Sequence, residues 1–397
     1  MTNRFYRKAS GAEVNHRAIV QPQEHGGVDT KMINIQRNCQ ADAAHRRFRT
    51  WGRMSSLMLV LMLGLLVAVL SEATSGQVGP PALVSPFVSH IPNIATLQGL
   101  NDQGPTFENP RKIHWRFGLK IESTGNARGI TATFPVPLDW PEQEIILETK
   151  LHSSNVDKLR FSQPTKESRM VTFQINQLRP GEVAEAYLLL ELSKSLIVAP
   201  KKRDSLRIPA GIGPGLKPFL GSSPFIETKD RRIVEIANRL KDQQLTGWEQ
   251  VQVIYHWVRE QIEYQFDEEI RSCLDALDTG KGDCEEMSSL FIAICRAMQI
   301  PARAVWIPDH TYPEFYLEDE QGLGYWFPCQ VAGDEHFGAM PELRPIIHKG
   351  DRFRVAGKRE MVRYLEPTLL ERSGMGALQV QWVAEPVEDQ SKIDNGP

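Results

Sequence analysis

The sequence predicts an α+β protein in which an antiparallel β-sandwich of immunoglobulin-like type precedes a domain of helices packed on a β-meander. Three observations carry this. Between residues 106 and 205, short apolar stretches alternate with polar residues at period two, the mark of half-buried strands. After residue 215 the period shifts to 3.6 in three successive segments, as in helices with one buried face. Behind the third helical segment come strand-like runs separated by tight turns.

In the first half, Ile113, Trp115, Phe117, Leu119 and Ile121 alternate with polar or small neighbours, and Ile130, Ala132, Phe134 and Val136 repeat the pattern. Runs at 145–151, 156–161, 170–178 and 183–192 follow. Thr124-Gly125-Asn126 and Pro180-Gly181 supply turns. Strands at this spacing argue for two packed antiparallel sheets. No catalytic constellation lies in them, so the sandwich reads as a spacer or packing partner. "GIGPG" at 211–215 punctuates the join to the second domain. There Ile233, Ile236, Ala237 and Leu240 fall at i, i+3, i+4 and i+7, giving a helix started by Thr228. A second helix begins at Thr246, closes a capping box with Glu249 and buries Val251, Ile254 and Val258. His256 and Trp257 on it are packing residues.

The third helix carries the chemistry. In Gly-Asp-Cys-Glu-Glu (282–286), Asp283 can accept a bond from an orphan backbone N–H and Glu286 can bond back to it. Cys284 then falls in the first turn, where unpaired N–H groups and the helix dipole favour the thiolate. Met287, Leu290, Phe291, Ile294 and Met298 anchor the helix in a core. Gln299, Ile300 and Pro301 end it. Ala302–Ile307 reads as a buried strand, "HTYPEFYLED" as a second from His310, and "GYWFPCQ" as a third from Gly324. A helix on this meander can set Cys284 beside His310, with a group on the next strand to orient the ring.

These residues resemble the transglutaminase-like superfamily, a papain-related set of Cys-His-Asp folds. "TGKGDCEEMSSLFIAICRAMQIPARAV" is similar to that family's nucleophile helix and first core strand, and "HTYPEFYLED" to its histidine strand. The resemblance spans about 220–330. It implies that Cys284 is the nucleophile and His310 the general base. Where the family has an aromatic residue, Pro and Asp, this chain reads Trp326-Phe327-Pro328-Cys329-Gln330. Gln330 therefore takes the orienting place: its amide oxygen can accept from the imidazole but adds no charge. Glu314 is a rival orienter, because four residues along the strand it points to the same face as His310.

At 397 residues the chain is long enough for two folded domains, and its net charge of −3 is unevenly spread. Residues 1–53 hold ten Lys or Arg against four acids. The remainder is acidic and has no basic stripe with interleaved aromatics, which argues against a nucleic-acid partner. Residues 54–73 include an uncharged apolar stretch behind four arginines, with a small-x-small site at Ser71-Glu72-Ala73. Either a signal peptide or a membrane anchor fits, and both export the rest of the chain. A linker at 74–105, the sandwich at 106–205, the transglutaminase-like domain at 215–385 and a polar, disordered tail at 386–397 complete the organisation. The stretch "ALQVQWVAEPV" alternates and closes the second domain as a strand. Cys273, Cys284, Cys295 and Cys329 are too few for a disulfide scaffold. Cys284 and Cys295, about 16 Å apart on one helix, cannot pair; Cys273 and Cys329 could. His336 and His348 lack a zinc-site spacing, and no phosphate-binding glycine loop appears, so neither metal nor cofactor is expected.

Three functions stand as expectations: a cysteine peptidase, amidase or acyltransferase acting on protein or peptide carboxamides through a Cys284 thioester; a weak or inactive binding module; and a scaffold whose sandwich does the work.

Overall fold

The computed structural model describes residues 102–267, 269–355 and 358–388. The basic extension, the apolar segment at 54–73, nearly all of the linker and the tail from 389 lie outside the described residues. Among the described residues no helix is long and apolar enough to cross a membrane.

Six strands form in chain order: β1 (Thr106–Ser123), β2 (Asn126–Val136), β3 (Gln143–His152), β4 (Lys158–Thr165), β5 (Ser168–Leu178) and β6 (Val183–Val198). They build two antiparallel sheets, with β1, β6 and β3 adjacent in one and β2, β5 and β4 in the other. The alternation read from the sequence is the buried face: Phe117, Leu119 and Ile121 of β1, and Ile130, Ala132 and Phe134 of β2, are all in the core. The order differs from an immunoglobulin domain, whose A–B, D–E and F–G pairs close within a sheet. Here only β4 and β5 form a hairpin within one sheet, and the other four connections cross between sheets. Glycines make two of these corners. Gly181 has φ +76, and a Cβ on Gly125 would fall 1.5 Å from the Met375 carbonyl oxygen.

The second half begins with α1 (Arg231–Leu240) and α2 (Gly247–Gln261). The cap of α1 is Asp230, whose carboxylate accepts from the Arg232 N–H at 2.9 Å, so the cap lies two residues after Thr228. Thr246 and Glu249 form the expected capping box on α2. A parallel pair, β7 (Glu263–Tyr264) and β8 (Lys281–Gly282), brackets a short helix, α3 (Cys273–Thr279), that sequence reading overlooked. The central helix is α4 (Cys284–Ala297), buried on every face from Cys284 to Arg296. Gln299, at φ +65, takes the chain out of it, and Ile300 N–H caps Cys295 O at 2.9 Å. Arg296 tolerates full burial because Asp351 pairs with it at 2.7 Å and the carbonyls of Ala302 and Gly221 and the Ser223 hydroxyl accept its other hydrogens.

Against α4 lies a sheet containing β9 (Ala302–Ile307), β10 (His310–Glu318), β11 (Gly324–Gln330), β12 (His336–Phe337) and β13 (His348–Lys349), in the order β12-β11-β10-β9-β13. The two-residue turn Pro308-Asp309 pairs His310 with Ile307, so the histidine opens β10.

After a small hairpin, β14 (Phe353–Arg354) with β15 (Met361–Val362), the chain returns to the sandwich. The strands β16 (Thr368–Leu370) and β17 (Ser373–Met375) pair with β2, and β18 (Leu378–Pro386) pairs with β1 from Ser123↔Leu378 to Trp115↔Pro386. The boundary at 385 is thereby corrected: the closing strand belongs to the first domain. Trp382 of β18 meets Phe134 of the opposite sheet edge-on, with ring centroids 5.8 Å apart. Alternation announced the strand but could not say which sheet edge it completes.

A buried ion network joins the halves. Lys349 Nζ lies 2.6 Å from Glu142, just before β3, and 2.6 Å from Glu314 on the histidine strand. Burial alone would raise the Glu142 carboxyl, but Lys349 and Lys194 outweigh it and hold the group at about 2.

Candidate active site

Cys284 is the first residue of α4. Asp283 Oδ1 accepts from Glu285 N–H at 2.8 Å, and Glu286 Oε2 accepts from Asp283 N–H at 3.0 Å, so the capping box forms as read. Gly282 leaves room for it, since a Cβ there would stand 2.9 Å from Cβ of Glu286. Glu286 also accepts from Arg271 N–H at 2.9 Å. Burial first, then the bond to and charge of Asp283, push its carboxyl up to about 7. Further bonds stiffen this turn: Ser289 Oγ and Arg363 Nη2 both donate to the Glu285 carbonyl at 2.7 Å. Ser288, one turn beyond Cys284, donates to Thr311 O at 3.4 Å, which ties this face of α4 to the start of β10. Cys284 itself is 3% exposed.

His310 Nε2 lies 2.9 Å from Gln330 Oε1. An amide oxygen only accepts, so Nε2 carries the hydrogen and Nδ1 keeps its lone pair. The register Glu314↔Pro328, extended by two places, sets Gln330 opposite Tyr312 and one diagonal step from His310, a span that a long amide side chain covers. Burial holds the imidazole below its ordinary 6.5; the Gln330 bond works the other way, and the Arg344 charge lowers it again. Arg344 is fixed by a two-point contact with Glu342, at 3.1 and 2.6 Å, and by Pro308 O at 2.9 Å.

His310 and Gln330 open on a cleft of about 680 Å³ whose lining includes Met287 of α4, Arg259 of α2, Tyr264 and Arg344. Met287 lies three residues from Cys284 on the same helix face, so the helix that begins at Cys284 contributes to the cleft that His310 and Gln330 line. Glu314 does not join them. Its carboxylate is bonded to Arg303 Nε at 2.8 Å and Lys349 Nζ at 2.6 Å, and the acceptor on the His310 ring is Gln330.

Sequence reading did not find Arg259, Arg344 and Glu342. An arginine in a last helical turn reads as a complement to the helix dipole, and a Glu-x-Arg in a loop reads as a surface pair. Other singled-out residues stand apart from the cleft. His256 packs edge-on to Tyr255, and Trp257 lies under Arg239. His336 sits on β12, while His348 is enclosed by Trp306, Phe353 and Tyr364, where burial drives its ring down to about 3. Among the described residues no group of three or more His, Cys, Asp or Glu side chains could hold a metal ion. Cys273, Cys284, Cys295 and Cys329 form no disulfide. Cys273, rather than pairing with Cys329, donates to Glu227 at 3.0 Å.

The chain thus sets a cysteine at a helix start, a histidine on a strand and an amide acceptor for its ring on the adjoining strand. In agreement, residues 234–331 match the model of the transglutaminase-like superfamily, and the chain carries a domain of that superfamily there. An uncharacterised protein of Haemophilus influenzae is 29% identical over 134 residues, covering 30% of this chain and 34% of its own. The chain thus spans about a third of that relative's length. Two solved structures are similar. A proposed cysteine protease from Cytophaga hutchinsonii has 18% identity and a TM-score of 0.49, covering 72% of this chain and 93% of its own. A proposed protease from Parabacteroides distasonis has 12% identity and a TM-score of 0.24, covering 58% and 48%.

Proposed function

We propose that the chain is a cysteine-dependent amide-bond enzyme acting on protein or peptide carboxamides. The observation that carries this is the 2.9 Å contact between His310 Nε2 and Gln330 Oε1, which leaves Nδ1 as a base in the cleft beside the helix that begins at Cys284. In the first step the Cys284 thiol gives its proton to Nδ1 as sulfur attacks the carbonyl carbon, and His310 then returns the proton to the departing amine or ammonia. This leaves a thioester. Water resolves it in a peptidase or amidase, while a primary amine resolves it in an acyltransferase; either regenerates the thiol. Burial favours the neutral form of His310, the form that can take the proton.

A mass shift at Cys284 with a mild neutral alkylator, lost in Cys284→Ala and slowed in His310→Ala, supports the reading. A Cys284 that alkylates at the same rate with and without His310 refutes it. The binding-module reading draws on two observations: Cys284 is 3% exposed, and the acceptor on the His310 ring is an uncharged amide. It is favoured if alkylation is slow at every pH. We extend the proposal to location, with 54–73 exporting the folded part as a signal peptide or anchor. Sequencing the mature N-terminus tests it: a start near residue 74 means cleavage, an intact membrane-bound chain means an anchor, and an intact cytoplasmic chain overturns export.

A further inference from the structure

We propose that Arg259 is a positioning residue of this thiol site, acting on His310 through the main chain of Gln330. The inference rests on Cys284, His310 and Gln330 being the reacting set. Arg259 stands in the last turn of α2 and lines the cleft. Its Nη1 donates to the Gln330 carbonyl at 3.0 Å and its Nη2 to the Gly333 carbonyl at 2.9 Å. One planar fork thus holds both ends of the bend that takes the chain out of β11, where Gly333 has φ +89. The fork is itself held, by Glu335 at 3.6 Å and by the Tyr255 ring, 5.5 Å below the guanidinium.

The consequence is for the imidazole. Gln330 reaches His310 with its side chain, so the 2.9 Å bond depends on where the Gln330 backbone stands. That backbone is at the end of β11, where pairing with β12 covers only Cys329↔Phe337 and Gln330↔His336. Arg259 supplies a second anchor and joins α2, through Gln330, to the His310 ring. Its effect is geometric, because the charges acting most on His310 are those of Arg344, Glu342 and Asp283. A lysine would keep the charge but has no rigid fork to span two carbonyls.

The test uses the full chain and two readouts: kcat on an amide substrate, and the pH profile of Cys284 alkylation by iodoacetamide. Arg259→Met should lower both rates by about 10- to 100-fold, the scale for a misplaced catalytic group, with KM within about twofold. Arg259→Lys should lose most of the same factor. Since both residues act through one bond, Arg259→Met combined with Gln330→Ala should be no slower than Gln330→Ala alone. Multiplying effects, or a wild-type profile in both Arg259 variants, would overturn the proposal. If Arg259→Met does not fold, Arg259→Lys decides: an unchanged rate overturns the role. Glu335→Gln, which touches the fork but not Gln330, separates loss of the ion pair from loss of the clamp; if it alone reproduces the Arg259→Met loss, the clamp is refuted. His310→Ala distinguishes the two levels. If it leaves the alkylation profile unmoved, the catalytic reading itself fails; if it moves the profile and the Arg259 variants do not, only the positioning role fails.

Discussion

Removing the Gln330 side chain isolates what an uncharged orienter contributes. Gln330→Ala deletes the acceptor 2.9 Å from His310 Nε2 and little else, since the remaining contacts of Gln330, to Arg259 and in the pairing with His336, are made by its backbone. A neutral hydrogen bond contributes about 1 kcal/mol, or about fivefold in rate. The larger effect is rotational: an imidazole free to turn misplaces Nδ1 by about 1 Å, which costs on the order of 100-fold. The expected fall in kcat is therefore about 10- to 1000-fold, with stability lowered by less than about 1 kcal/mol because water replaces the amide at a half-buried ring. Gln330→Glu keeps the reach and adds charge. A carboxylate there stabilises the imidazolium, so it should raise the His310 pKa and bring the Cys284 thiolate in at lower pH by about 1 unit or more. Stopped-flow kinetics and pH-dependent alkylation read both outcomes. Wild-type kcat in Gln330→Ala, together with collapse in Glu314→Gln, would refute this reasoning.

Cys284→Ala should abolish amide-bond activity while thermal unfolding stays near that of the parent, because one small group is lost at a helix start held by Asp283 and Glu286; retained turnover would remove Cys284 from the chemistry. Glu286, raised from 4.5 to about 7, contributes stability that is complete below pH 4.5 and lost as the pH rises through about 7. Urea unfolding of Glu286→Gln should accordingly vary less across that window, and an identical pH slope would show that the group titrates normally in the fold. Lys349→Met leaves Glu142 and Glu314 buried without their shared cation, and should cost about 3–5 kcal/mol in denaturant unfolding at neutral pH. That loss should shrink in acid as the Glu142 carboxyl protonates.

What the sequence disclosed depended on the range of each signal. The capping box at Asp283, the end of α4 at Pro301 and the alternation in β1 and β2 are local, and each appears where local chemistry put it. Gln330 was legible through its place after Trp326-Phe327-Pro328. Failure came where distant segments decide. The cap of α1 is Asp230 and not Thr228, because the Asp230 carboxylate reaches the second helical N–H. The pattern around Trp382 shows a strand but not that its partner is β1, more than 250 residues earlier. Arg259 could not be read, since nothing near it in sequence announces the carbonyls of Gln330 and Gly333. Glu314 stood as a rival to Gln330 for a related reason: period two puts it on the face of His310, but Lys349 and Arg303, which bind its carboxylate, come from other strands.

The return of the chain bears on what the sandwich is for. A spacer would be joined by one linker and share few buried charges. Here the last strands complete the sandwich sheets after the thiol-bearing half has been built, so that half is an insertion between β6 and β16. The Glu142–Lys349–Glu314 network then couples the sandwich to β10, whose first residue is His310. Because a buried pair is costly to break from one side, movement of the sandwich relative to β10 is resisted by several kcal/mol, on the order of the loss expected for Lys349→Met. The histidine strand is thus held from two directions, by the sandwich at Glu314 and by α4 through Ser288, and the side of the site that remains to be fixed is the end of β11, where Arg259 grips Gln330. Rigidity at both supports matters because the reacting geometry tolerates only fractions of an ångström. The β-sandwich is in this sense part of the frame that holds the His310 strand, although none of its described residues lines the cleft.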